Sequence, residues 1–353
     1  MMSWFRQRWA GLLRLAVCVA AIGWIATHTQ WSELADVWRS ADKRLLFWSV
    51  LAFGPAPVLI AIRLKLLLAV HNIRLTAWQA IKVTFAGNFV INALPVGTAG
   101  GDSVKAFYIA RDTPSKHEAV TVVFFDRVIG VLGLVLMSGV VVLLDWHNEA
   151  FAKWGRIIGV LVLLMVVGGA VYFSHGARRL LRVDWLLSRL PLGSHLQRID
   201  RAVFEFRQHP MRVLAALLLT NLLQFNCIVS LFLGGWALGM VDPAQPWSSF
   251  SVYLAYTPIC YLTGALPIGV METTFQQLFS GVARLGTMEA ALSLSLLSRF
   301  IQTIWSLPGG LAVLRSRREA NEFAAMEAAM EVGMEKGETC ESTAVKSNAE
   351  AKA

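Results

Sequence analysis

Ala93-Leu94-Pro95-Val96-Gly97 recurs 172 residues later as Ala265-Leu266-Pro267-Ile268-Gly269, and an arginine follows each proline by 32 residues: Arg127 in the first copy, Arg299 in the second. Two unrelated features that share one period point to an internal duplication. Each copy also breaks a long apolar stretch. Val83 to Gly101 is interrupted by Asn88, Asn92, Pro95, Gly97 and the Gly100-Gly101 pair; Trp247 to Val270 is interrupted by Pro258, Gly264, Pro267 and Gly269. Proline removes a backbone donor and glycine weakens a helix, so both stretches read as two helical legs rather than one. Duplicated halves with interrupted hydrophobic segments are a transporter signature.

The setting for these segments is a membrane. The chain of 353 residues is 56% hydrophobic and 16% charged, with net charge +9 and mean hydropathy +0.55. Its apolar residues lie in long runs, and Leu45 to Ile62, Ile157 to Ser174 and Val213 to Val241 contain no Asp, Glu, Lys or Arg. About 20 such residues cross the hydrocarbon core as a helix. The expected fold is an all-α polytopic membrane protein with spans at 10–27, 44–63, 118–144, 154–174, 213–239 and 289–314, plus two re-entrant helical hairpins. Arg14 interrupts the first apolar segment and no small-x-small site follows Ala26, so it reads as a span rather than a cleaved leader. Trp9, Trp31, Trp48, Trp146, Trp154 and Trp247 stand near segment ends, where an interfacial belt places them.

Basic residues orient the chain. With both termini cytoplasmic and both hairpins re-entrant, 20 Lys and Arg fall inside, among them Arg63, Lys105 and eight arginines of the loop 175–212, and six fall outside. That asymmetry obeys the positive-inside rule. It also inverts the duplication: repeat one, about 10–144, is span, span, hairpin from the cytoplasm, span; repeat two, about 154–315, is the same series with the hairpin entering from outside. One transmembrane domain thus occupies residues 1–318. The tail 319–353, rich in Ala, Glu, Met and Ser, is expected to be cytoplasmic and partly disordered.

Chemistry in such a chain must come from polar groups placed where lipid would otherwise be. Arg127 and Arg299 lie within spans, where a guanidinium is costly unless it meets a partner, water or a ligand, and they are the candidate headgroup-binding residues. Asp126 has two partners in view, its neighbour Arg127 or, across the repeats, Arg299; neighbours on a helix point about 100° apart, which favours the second. After each break a helix is expected to restart, at Gly101-Asp102-Ser103 and at Met271-Glu272-Thr273, with free N–H groups that suit an anion. Asp102 and Glu272 either cap those groups or, with Asp126, carry protons. Asn88, Asn92, Asn221 and Gln224 are candidate groove residues. The four cysteines and seven histidines have no metal-like spacing, so no metal or other cofactor is expected, and no phosphate-binding loop or nucleic-acid motif is present.

The segment Asn92-Ala-Leu-Pro-Val-Gly-x-x-Gly-Gly-Asp102, the helix carrying Asp126-Arg127-x-x-Gly130, the later Leu266-Pro-Ile-Gly-x-x-Glu272, and Arg299 followed by Gly309-Gly310-Leu311 resemble the flippase-like membrane domain of lysylphosphatidylglycerol synthases. The likeness runs from about residue 10 to 315. It implies a bacterial inner-membrane protein that moves a lipid across the bilayer and is not an enzyme, since the roughly 35 residues after Arg318 are too few for the soluble aminoacyl-transfer domain. Two other readings stand beside it: a scaffold for a lipid- or hopanoid-synthesis enzyme, acting through the basic loop 175–212, and an ion-coupled carrier of a small soluble metabolite.

Overall fold

The computed structural model describes residues 29–93, 97–111, 113–144, 203–264 and 269–315, with isolated positions at 27, 200 and between 159 and 176. Among the described residues the chain is helical and contains no strand. In order, the helices are α1 (Trp31–Ser40), α2 (Lys43–Ala52), α3 (Pro55–Leu68), α4 (Ala77–Ala93), α5 (Gly97–Arg111), α6 (Lys116–Leu144), α7 (Pro210–Ala237), α8 (Pro246–Thr263), α9 (Val270–Phe275), a π-helical turn Gln276–Val282, and α10 (Met288–Arg315).

Four segments are long and apolar enough to cross a membrane: Lys43–His71, Lys116–Val140, Pro210–Ala237 and Met288–Val313. They coincide with four of the six expected spans. The expected spans 10–27 and 154–174, most of the loop 175–212, and the tail fall largely or wholly outside the described residues. Each of the four turns large apolar side chains outward at helical spacing: Phe47, Leu51, Val58 and Ile62 on α2–α3; Val120, Phe124, Val128 and Val131 on α6; Leu214, Leu218, Leu222 and Phe225 on α7; Leu296, Phe300, Leu307 and Leu311 on α10. A water-soluble fold would bury such stripes; hydrocarbon solvates them.

The first span is interrupted at Phe53-Gly54-Pro55, where three α-helical hydrogen bonds are lost, one of them because Pro55 has no N–H to give Leu51 O. Gly54 N–H turns to Leu51 O and Ala56 N–H to Phe53 O, which leaves the carbonyls of Val50 and Ala52 without their usual donors. Trp305 Nε1 on α10 donates to Val50 O at 2.7 Å, and Asn226 Nδ2 on α7 donates to Ala52 O at 2.7 Å. In lipid no water can perform that service, so the bend needs both side chains. The Trp305 ring lies where a Cβ on Gly54 would be 2.8 Å away, which is why the bend carries glycine.

A series of span, broken hairpin and span occurs twice: α2–α3, α4/α5, α6, then α7, α8/α9, α10. Helices α4 and α5 run antiparallel and close together, because Gly87 and Gly101 face each other; a Cβ on Gly101 would lie 2.5 Å from Gly87 O. The two series exchange their last helices. Helix α10 packs along α4 of the first series, and α6 packs along α8 of the second. Where α2 meets α7 the bonding is reciprocal: Ser49 Oγ donates to Ser230 O and Ser230 Oγ donates to Ser49 O, both at 2.7 Å.

The contact of α10 with α4 depends on Gly309 and Gly310, which sit on Phe85 and Phe89. A methyl at Gly309 would run into the Phe85 carbonyl, which is backbone and cannot turn aside. Gly309→Ala is therefore expected to destabilise the fold by about 1–3 kcal/mol, the range typical of overpacking, whereas outward-facing Leu311→Ala leaves it nearly unchanged. Thermal unfolding of the purified protein in detergent, comparing the two midpoints, checks this.

Candidate functional site

Three arginines within the helical body each meet a carboxylate from another helix. On α6, the neighbours Asp126 and Arg127 diverge by about 100°, and they go to different elements. Asp126 faces α3, where Arg63 donates through Nε to Oδ1 at 2.7 Å and through Nη2 to Oδ2 at 3.0 Å. The remaining Nη1 of Arg63 donates to Thr220 Oγ1 on α7 at 3.0 Å, so one fork ties three helices together. Arg63 is 6% exposed and Asp126 7%.

Arg127 faces the hairpin instead. Its Nε donates to Asp102 Oδ2 at 2.8 Å and its Nη2 to Asp102 Oδ1 at 2.5 Å. Such a bidentate, charge-assisted pair fixes geometry as well as charge. Lys105, one turn beyond Asp102 on α5, places Nζ 3.9 Å from Asp102 Oδ1 and is only 4% exposed. Its stem lies over Gly87 of α4, where a Cβ would come within 2.5 Å of the lysine Cε.

The second series repeats the pattern. Arg299 on α10 donates through Nε to Glu272 Oε1 on α9. The other oxygen, Oε2, accepts from the Gly269 N–H at 2.8 Å and so closes the start of α9. Gly269 has φ 103°, a conformation in which a side chain is strained, and that explains the glycine after the second proline. Beside this pair Gln302 Nε2 donates to Ser298 Oγ at 3.1 Å, and Ser298 Oγ lies 3.2 Å from the Tyr261 hydroxyl on α8.

These contacts correct several expectations. Asp126 pairs with neither Arg127 nor Arg299; its partner is Arg63, which together with Lys105 had been counted among the cytoplasmic charges. Both are buried among the helices. Asp102 is no helix start, since α5 begins at Gly97, five residues earlier. Glu272 does serve a helix start, and pairs with Arg299 at the same time. Asn92 and Asn221 turn their amides to backbone carbonyls of their own helices, Asn88 O and Leu217 O, each at 2.9 Å. Asn88 is half-buried on α4 and Gln224 is buried on α7, so neither belongs to the two acid–arginine pairs. Pro95 and Pro267 lie outside the described residues, and Gly97 is the first residue of α5.

Arg63 was legible in principle: it stands between Ile62 and Leu64, and the helix runs on to Leu68. Lys105 carried a weaker signal, its i,i+3 spacing from Asp102.

An all-helical membrane protein whose two series each hold a hairpin carboxylate against an arginine of the following span defines a class of broken-helix membrane domains. The family model for the lysylphosphatidylglycerol synthase transmembrane region matches residues 11–309, and the chain belongs to that family, which links it to lipid handling. The comparison with curated proteins found no match.

The Arg63–Asp126 pair is structural on this geometry, being bidentate and buried. Asp126→Asn or Arg63→Met alone leaves one charge unpaired and should cost about 3–5 kcal/mol, while the double variant should regain most of the loss. Unfolding midpoints of the three variants in detergent decide it; a double variant no better than the singles would contradict the pairing.

Proposed function

We propose that the chain is a bacterial inner-membrane lipid translocator of the flippase type, carrying an anionic or modified phospholipid, or a related lipid, across the bilayer without acting as an enzyme. The observation that supports this best is the duplicated acid–arginine pair, because in each the guanidinium is reachable: the side chains of Arg127 and Arg299 are 43% and 35% exposed, unlike buried Arg63. A part-exposed arginine among apolar spans is a costly feature for a structural role alone.

The mechanism follows from where the partners sit. Each arginine belongs to a span and each carboxylate to a hairpin. A phosphodiester that enters competes with the carboxylate for the same planar fork, since both are bidentate acceptors. Binding the headgroup thereby loosens the hairpin from its span, and the acyl chains stay in the bilayer beside the apolar outer faces. The full architecture in this reading has six spans and two re-entrant hairpins in inverted repeats, with both termini cytoplasmic, so the two pairs offer successive stations from opposite faces.

Arg127→Gln or Arg299→Gln should abolish translocation of a fluorescent phosphatidylglycerol in reconstituted vesicles, measured by quencher access, while lysine at either position restores part of it. Wild-type transport by a folded Arg127→Gln, Arg299→Gln protein would rule the mechanism out. The orientation has its own check. A single cysteine at Ser115 should react with an impermeant label only from the cytoplasmic side and one at Ala244 only from the outside; labelling at Ser115 from outside contradicts the inverted arrangement.

A further inference from the structure

Displacing a carboxylate from its arginine has a cost that the two series meet differently. Once a headgroup holds Arg127, Asp102 is left part-buried without its cation, and an unpaired buried charge opposes the exchange. Lys105 is placed to prevent this. Its ammonium is 3.9 Å from Asp102 Oδ1, just outside hydrogen-bond range, while Arg127 holds both carboxylate oxygens. The side chain is 5% exposed, so it does not reach the face from which Arg127 is approached. Gly87 supplies the slot for its stem. A flexible four-carbon chain ending in a compact ammonium closes a gap of about 1 Å by small torsional changes.

The second series has no such cation. Three residues after Glu272 stands Phe275, fully buried, where the first series has Lys105 three residues after Asp102. Glu272 instead holds the Gly269 N–H at 2.8 Å through Oε2, the oxygen that the Arg299 Nε does not use. Each hairpin acid thus has a standby partner, a charged one in the first series and a neutral one in the second.

From this geometry we infer that Lys105 is a positioning residue that takes over Asp102 when the phosphate of an anionic phospholipid takes Arg127, making the first hairpin the tighter of the two headgroup stations. The inference rests on the headgroup reading of Arg127 and Arg299.

The test is a titration of the full chain in detergent with dioctanoylphosphatidylglycerol, with dioctanoylphosphatidylcholine and sodium phosphate in parallel, following tryptophan fluorescence. Wild-type protein should bind the phosphatidylglycerol in preference to the other two. Lys105→Met should weaken that binding by about tenfold or more, because Asp102 no longer has anywhere to go. Asp102→Asn should strengthen it, since nothing then competes for Arg127. In the Asp102→Asn background, adding Lys105→Met should change nothing. A merely structural or direct headgroup role for the lysine predicts the same loss in both backgrounds, and that result overturns the inference, as does wild-type affinity in Lys105→Met or equal binding of inorganic phosphate. If Lys105→Met does not fold, Lys105→Gln takes its place, and Asp102→Asn binding no tighter than wild type is by itself sufficient to reject the idea. Wild-type transport by the arginine variants would bring down the headgroup mechanism; loss of transport there combined with wild-type binding in Lys105→Met brings down only the hand-over.

Discussion

A guanidinium surrounded by hydrocarbon and packed helices must have an anion, and this fold is arranged around three such requirements. Arg63 meets its requirement permanently, through Asp126 and Thr220, and in doing so fixes α3, α6 and α7 against one another. Arg127 and Arg299 meet theirs through carboxylates carried on hairpins. The same interaction is a buried fastener in the first case and part-exposed in the other two, where the proposed mechanism makes it exchangeable. Charge alone would not distinguish the roles; the accessibility of the fork does.

The backbone obeys a parallel constraint. Where a described helix is interrupted within the membrane body, a side chain supplies the lost donor or acceptor, from the other half at the bend of the first span and from the same segment at the start of α9. Trp305 and Asn226 complete the bend of the first span, and Glu272 completes the start of α9. The bend of the first span is thus tied to tertiary packing, while the start of α9 is closed locally by a carboxylate that also meets Arg299 on α10.

That dependence sets what could be read from the sequence. The period of 172 residues, the apolar runs and the two broken stretches reported the class of fold and the two arginines, because proline, glycine and hydropathy act locally. Pairing partners did not follow. Whether Asp126 turns to α3, α5 or α10 depends on how α6 is rotated in the assembly, and the sequence supplies only the angle between Asp126 and Arg127. The start of α5 at Gly97 rather than Gly101 was missed for a related reason: the Gly100-Gly101 pair looks like a break, but Gly101 is where α4 and α5 approach closely. Lys105 was counted only among the cytoplasmic basic residues, because burial of a lysine stem against a glycine on a different helix leaves no periodic trace.

The exchange of α6 and α10 between the two series has an evolutionary consequence. A lone copy of the unit would keep the contact of its last helix with its own hairpin, but it would lose the packing of α10 on α4 or of α6 on α8, and the reciprocal Ser49–Ser230 bonds would have no second member. Such a unit becomes complete only by meeting a second copy of itself. Duplication and fusion of one such unit would place both copies in a single chain and make their pairing permanent. Once fused, the halves were released from identity, and one hairpin was free to acquire a lysine where the other kept a phenylalanine.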